Sequence, residues 1–294
     1  MSARPSEQKP TVCLLACGDL GTALGLRLIA GGYDVLAVRR DPTKLAAQLP
    51  ALALDYRDPE QVGQLAGRYF DAVVWTPTPV RGEAQGYRMG YLDPLDQLLP
   101  LWTQTPPGRV LCVSSTRVYG ERDGAWVDDT SGTSVADDPA GAVIVAAEQR
   151  LRDALPAVTL LRLAGIYGRQ PSRLLQRLAR GEIYPEHPTR YSNRIHRDDA
   201  VGFIHFLLER MARGESIESH YLVADDDPAS RWEVESWLCE QLGVTDLSVI
   251  KQAGPAGGNK RCRNTRLRAS GYALQYPDYK AGYGAMLGLA PTAP

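Results

Sequence analysis

Short apolar runs alternate with longer amphipathic stretches through the first half of this chain. Residues 12–16, 33–38, 51–54, 71–75 and 109–113 are too short for buried helices and lie beside glycine, proline or aspartate. Runs of that length in that setting predict strands of a parallel sheet covered on both faces. Between them, residues 22–30 put Leu24, Leu28 and Ile29 on one face and stop at Gly31-Gly32. Residues 43–49, 91–102 and 139–150 read as further helices. The alternation predicts an α/β fold, a doubly wound and mainly parallel sheet with helices on both faces. Beyond Pro171 the rhythm changes. A helix over 172–179 gathers Leu174, Leu175 and Leu178, Asp198 caps a helix over 199–211, and 220–224 is a late strand. Ser230 caps a last long helix over 232–242.

The stretch 11–40 carries the first chemistry. A strand, the turn Gly18-Asp19-Leu20-Gly21, a helix, a glycine stop and a second strand make one βαβ unit. In such a turn glycine lets the backbone approach a pyrophosphate, and the helix N-terminus faces its charge. The G-x-G-x-x-G pattern aligns on Ala16 to Gly21, so an alanine stands where the first glycine belongs. The second strand ends in Arg39-Arg40. Arg39 occupies the place where NAD binders carry an acidic residue, and a guanidinium fork suits the 2′-phosphate of NADP. A solvated arginine pair is the plainer reading. Asp55, ending the third strand, either receives an adenine amino group or caps the helix after Asp58-Pro59. Thr76 and the prolines after it follow the fourth strand, at the carboxyl edge where such sheets place ligands.

The 294 residues are 44% hydrophobic and 23% charged, enough for one large or two modest domains. A net charge of −1 gives no reason to expect nucleic acid or an anionic membrane. No run is long enough for a signal sequence or membrane span, and the five cysteines form no C-x-x-C pair. A reduced, cytoplasmic setting is expected, with cysteines serving as small core residues and no metal site. The acidic turn Asp225-Asp226-Asp227-Pro228 is better explained by the cap that follows it.

From Ser114 onward the sequence resembles a known family. Val113-Ser114-Ser115-Thr116-Arg117-Val118-Tyr119-Gly120 is similar to the strand end of extended short-chain dehydrogenase/reductases, the NAD-dependent epimerase/dehydratase family. Leu161 to Gly168 resembles that family's strand and loop at the nicotinamide end, and Ile195-His196-Arg197-Asp198-Asp199 its Ile-His-x-Asp-Asp segment. Asn259-Lys260-Arg261 with Tyr276-Pro277-Asp278-Tyr279 resembles the tail of an atypical branch. The resemblance implies a dinucleotide-binding domain over 1–170 to which 197–225 returns. It implies a smaller substrate-binding domain over 171–196 and 226–294, with the cofactor in the cleft. Ser114 would border the cofactor and Ser115 would polarise the substrate.

One departure is informative. The family's proton-exchanging tyrosine and the lysine four residues later fall on Ala140 and Ile144. Neither can move a proton or supply a charge. Tyr119, Tyr167 or a water would then manage the proton, unless both tyrosines are packed aromatics. His196 would suit acid/base work but resembles a structural histidine. Arg117 meets either an anionic substrate or solvent, Asn259, Lys260 and Arg261 are candidates for holding a phosphate or carboxylate, and Asn193 is a further substrate-binding candidate.

The expected protein binds NADP in preference to NAD. It acts as an oxidoreductase or epimerase-like enzyme on an anionic, nucleotide-sugar-like molecule through a non-standard site. The alternative is a non-catalytic NADP(H) sensor or scaffold, and a weaker one is a domain that has lost its cofactor. Nucleic acid and membrane are not expected partners. The apolar face 142–147 is compatible with a homodimer.

Overall fold

The computed structural model describes residues 9–80, 82–250 and 258–290. In chain order β1 (Thr11–Leu15), α1 (Asp19–Ala30), β2 (Asp34–Arg39) and β3 (Ala51–Ala53) open the fold. They are followed by α2 (Pro59–Val62), β4 (Ala72–Trp75), α3 (Ala84–Tyr87), α4 (Pro94–Gln104) and β5 (Val110–Ser115). Next come β6 (Ala125–Val127), α5 (Pro139–Ala154), β7 (Val158–Leu163), β8 (Gly165–Tyr167), α6 (Arg173–Leu178), β9 (Glu182–Ile183) and β10 (Arg194–His196). The chain continues through α7 (Arg197–Ala212), β11 (His220–Val223), α8 (Arg231–Gln241), β12 (Ser248–Val249), β13 (Lys260–Cys262), α9 (Thr265–Ala269) and α10 (Tyr279–Leu287).

The main sheet has seven strands in the order β11-β7-β5-β4-β1-β2-β3. It is parallel, the doubly wound α/β architecture that the strand–helix alternation requires. Val12, Cys13, Leu14 and Leu15 are all 1% exposed, because the strand is covered on both faces. Gly25 sets the spacing of α1 on this sheet: a Cβ there would fall 2.9 Å from Leu14 Cδ1 and 2.6 Å from Leu49 Cδ2.

That contact corrects one expectation. Residues 43–49 do not form a helix; only a single 3₁₀ turn, Pro42–Lys44, precedes an extended Leu45. Leu49 is 5% exposed and is drawn into the notch over Gly25, so burial overrides the local helical preference. The helix predicted over 91–102 is found as α4 from Pro94, with residues 91 and 92 in a preceding turn. A π-helical turn, Arg88–Leu92, joins α3 to α4.

The contacts divide the described chain into two compact units. One comprises 1–118, 135–162 and 201–220; the other comprises 119–134, 163–200 and 221–294. The second unit therefore takes 119–134 from between two segments of the first. Its small sheets pair β10 with β8, β12 with β9 and β13 with β6, all parallel. Its own core packs Leu175, Leu178, Val234, Leu238, Tyr279 and Tyr283. Among the described residues no helix is long and apolar enough to cross a membrane. All five cysteines are buried and free.

Candidate functional site

The turn between β1 and α1 has the shape its sequence only partly declares. Ala16, at the position of the absent first glycine, adopts φ +57°, a left-handed conformation that costs an alanine about 1 kcal/mol. The turn is thus kept at the expense of strain. Thr76 helps hold it: its Oγ1 donates to Ala16 O at 3.1 Å and lies 3.3 Å from Leu15 O. Thr76 supports the turn from below.

Gly18 is the N-cap of α1 and offers no side chain to the first-turn N–H groups. A Cβ at Gly18 would have only Ala16 O nearby, at 3.8 Å, so the space over the helix end is open. Gly21 is the opposite case, since a Cβ there would stand 2.9 Å from Cys17 Sγ. An open helix end of twelve residues, with Asp19, Leu20 and Gly21 in its first turn, fits a bound anion such as a pyrophosphate. Arg39 reaches the same turn, with Nη1 donating to Cys17 O at 3.4 Å, while Arg40 beside it is exposed. Asp55 is otherwise occupied. Arg57 grips its carboxylate at 2.9 and 2.6 Å, and the cap of α2 is Asp58. The arginine hydrogen bonds hold the Asp55 carboxyl below its usual range.

Two clusters form at the end of β5. Ser114 Oγ donates to Glu148 Oε1 at 2.6 Å, and Arg162 closes on the same carboxylate with Nε at 3.1 Å and Nη2 at 2.7 Å. All three residues are buried. Ser114 therefore belongs to an internal tie between β5, α5 and β7.

Ser115 is half-buried and accepts the Arg117 backbone N–H at 3.1 Å, which leaves its own hydroxyl proton to give. The Arg117 side chain is committed. Its Nε and Nη2 donate to the Asp138 carboxylate at 2.6 and 2.8 Å, and Nη1 donates to the Tyr87 hydroxyl at 3.1 Å. It is not a lone cation awaiting an anion. Asp138 is the N-cap residue of α5, and the positions assigned to the family's tyrosine and lysine, Ala140 and Ile144, are 4% and 1% exposed. Tyr87, Asp138, Glu148 and Arg162 were missed in the sequence. A charge inside the apolar run Leu160-Leu161-Arg162-Leu163 signals that Arg162 needs a buried partner, but nothing local points to Glu148.

The remaining candidates lie in the second unit and are mostly engaged there. Tyr119 is 1% exposed, and its carbonyl receives Lys260 Nζ at 2.6 Å. Tyr167 places its ring against His196 and Tyr283, with its hydroxyl over Gly282, where a Cβ could not fit. Burial raises the Tyr167 phenol above its usual range, which works against proton exchange near neutrality. Asn193 donates to Lys260 O at 2.9 Å and accepts from Cys262 N at 2.7 Å, so it stitches β13 in place. Arg261 donates from Nε to Gly124 O at 2.8 Å and lies between Trp126 and Tyr191, 4.8 Å from each ring centre. Residues 251–270 form a basic tail in the sequence, with Lys251, Lys260, Arg261, Arg263, Arg266 and Arg268; Lys251 lies outside the described residues. His196 Nδ1 accepts the N–H of Asp198 at 3.2 Å, and burial lowers its pKa. Asp199, wholly buried, accepts the N–H groups of Gln275 and Tyr276 at 2.7 and 2.8 Å.

Comparison with known structures places this architecture among relatives. The Methylobacillus flagellatus protein named for the NAD-dependent epimerase/dehydratase family is 32% identical over 96% of this chain and 98% of its own, with a TM-score of 0.77. The UDP-glucose 4-epimerase of Thermotoga maritima, solved with UDP-glucose, is 15% identical over 95% of this chain and 97% of its own, with a TM-score of 0.78. That of Thermus thermophilus, solved with NAD, is 16% identical over 95% and 98%, with a TM-score of 0.76. The two epimerases share the fold. Neither a family profile nor a curated protein matches the sequence.

Proposed function

Since the chain belongs to the NAD-dependent epimerase/dehydratase family, we propose that it binds NADP(H) at the β1–α1 turn and acts as an oxidoreductase or epimerase-like enzyme on an anionic small molecule. The observation that carries this reading is the open helix end at Gly18 with the Arg39 guanidinium against the same turn. The N–H groups from Gly18 to Gly21 would hold the pyrophosphate. Arg39, with Arg40 beside it, would meet the 2′-phosphate as a bidentate cation. Bound nicotinamide would supply hydride exchange. Ser115 has a proton to donate and would orient a substrate carbonyl or hydroxyl. Arg261 and Arg263 flank Trp126, and neither has a carboxylate partner among the described residues, which supports an anionic substrate.

Calorimetric titration with NADPH and NADH tests the cofactor half. Tight NADPH and weak NADH binding is expected, with the NADPH preference lost in Arg39→Asp. Failure to bind either dinucleotide removes the reading.

The burial of Ala140 and Ile144 favours a second reading, a non-catalytic NADP(H) sensor. NADPH consumption that stops in Ser115→Ala, with cofactor affinity intact, decides for the enzyme.

A further inference from the structure

Tyr87 was assigned no role by sequence, yet three features fix its hydroxyl against Arg117, whose backbone N–H donates to Ser115 Oγ. The first is the Arg117 fork. Two of its nitrogens are fixed by Asp138, and the third donates to Tyr87 Oη at 3.1 Å, with the guanidinium carbon 5.0 Å from the ring centre. Because Arg117 donates, the phenolic proton points elsewhere and remains available. The second is the anchor. Asp138 lies against the first turn of α5, where a Cβ on Gly141 would come within 2.8 Å of Oδ2. Glycine at 141 therefore lets the Asp138 carboxylate, which holds the Arg117 guanidinium, lie against the first turn of α5. The third is the helix that carries Tyr87. Its continuation passes over the loop after β4 so closely that a Cβ on Gly90 would stand 2.1 Å from Thr78 O. The π-helical turn there sets Tyr91 parallel to Tyr87 at 5.8 Å, an aromatic backing for the ring.

Exposure separates Tyr87 from Tyr119, and the Tyr167 hydroxyl is itself buried. Tyr87 is half-buried, and the Arg117 side chain behind it is 40% exposed, whereas Tyr119 is sealed in the core.

We propose that Tyr87 is the proton-exchanging residue of this protein. Arg117 faces the oxygen as the proton leaves, and Asp138 positions Arg117. The inference rests on the oxidoreductase reading above, with reduced nicotinamide dinucleotide as co-reactant. In carbonyl reduction the substrate carbon would gain a hydride from the reduced dinucleotide, which is left oxidised, and the C=O π pair would move to the oxygen held by Ser115. The Tyr87 O–H bond breaks as an O–H bond forms on that oxygen. The phenolate left behind faces the guanidinium and regains a proton from water. Oxidation of an alcohol runs the same transfer in reverse.

The test uses the full chain, NADPH and 9,10-phenanthrenequinone as a carbonyl probe. The wild type is expected to oxidise NADPH. Tyr87→Phe should lose about 100-fold in kcat, with NADPH affinity unchanged by calorimetry. Arg117→Met should lose turnover in the same way, and Arg117→Lys should restore part of it. With NADP⁺ in place of NADPH the quinone is not reduced, and its affinity should fall several-fold in Tyr87→Phe for want of one hydrogen bond. A Tyr87→Phe variant that keeps more than half the wild-type kcat overturns the proposal. So does a wild type that binds NADPH but never oxidises it with the quinone. A protein that binds neither dinucleotide overturns the cofactor reading beneath it.

Discussion

Two clusters of the first unit are built from the same parts and differ in wiring and in exposure: the Ser114 hydroxyl donates to the carboxylate, whereas the Tyr87 hydroxyl accepts from the arginine. Ser114, Glu148 and Arg162 join a hydroxyl, a carboxylate and an arginine fork, and so do Tyr87, Asp138 and Arg117. Both include a residue of α5 or its N-cap. In the first the paired side chains are 3% and 4% exposed; in the second they are 22% and 40% exposed. The buried set has every strong hydrogen-bonding group turned inward, so no group is left to serve a ligand. The exposed set keeps a phenolic proton and part of a guanidinium in reach of solvent. The same three kinds of group make a scaffold when sealed and, on the proposal above, chemistry when open.

Stability measurements can break that comparison. Arg162→Met strands the Glu148 carboxylate in the core and should cost about 3–5 kcal/mol in urea unfolding. A loss below 1 kcal/mol would mean that the buried cluster is not a structural tie. Asp225 offers a buried pair without the close fork, since its Oδ2 stands 4.0 Å from Arg194 Nη1. Burial pushes its carboxyl up to about 8, with Arg194 pulling against it and Asp226 and Asp227 adding to it. The folded state then keeps a proton that the unfolded chain releases near pH 4. Stability should fall as pH rises from about 4 to about 8, by at most ~1.4 kcal/mol per pH unit. Asp225→Asn should flatten that slope in unfolding midpoints measured at pH 5 and pH 7. The smallest effect belongs to the exposed cluster: Asp138→Asn should change stability by less than about 1 kcal/mol, because water screens that pair. A much larger drop in melting temperature would make it a structural device like its buried counterpart.

Fold class was legible because strand length, glycine stops and apolar runs are local signals. The turn at Gly18 was legible for the same reason, although the strain at Ala16 was not. A left-handed alanine is held by its surroundings, among them Thr76, which is 60 residues away in sequence. The helix expected over 43–49 failed because Leu49 answers to Gly25. The basic tail was legible as charge but not as contact. Lys260 and Arg261 meet backbone carbonyls 141 and 137 residues earlier, and nothing in their own segment announces those acceptors. Arg117 was noticed as unusual, but its partners lie 21 and 30 residues to either side. Short-range pattern finds the elements, whereas the site depends on which loops the fold returns to one place.

The parallel pairing of β6 with β13 has a consequence for the birth of the protein. Ala125 leaves the ribosome long before Lys260, its partner in register, is made. Until that late strand arrives, the backbone of β6 is an open edge, and Gly124 and Tyr119 present carbonyls with no side-chain cation to receive. Such delayed, high-separation contacts slow folding and prolong the exposure of unpaired strand. The second unit is therefore completed only when β13 is made, by a segment that closes an edge laid down well before it.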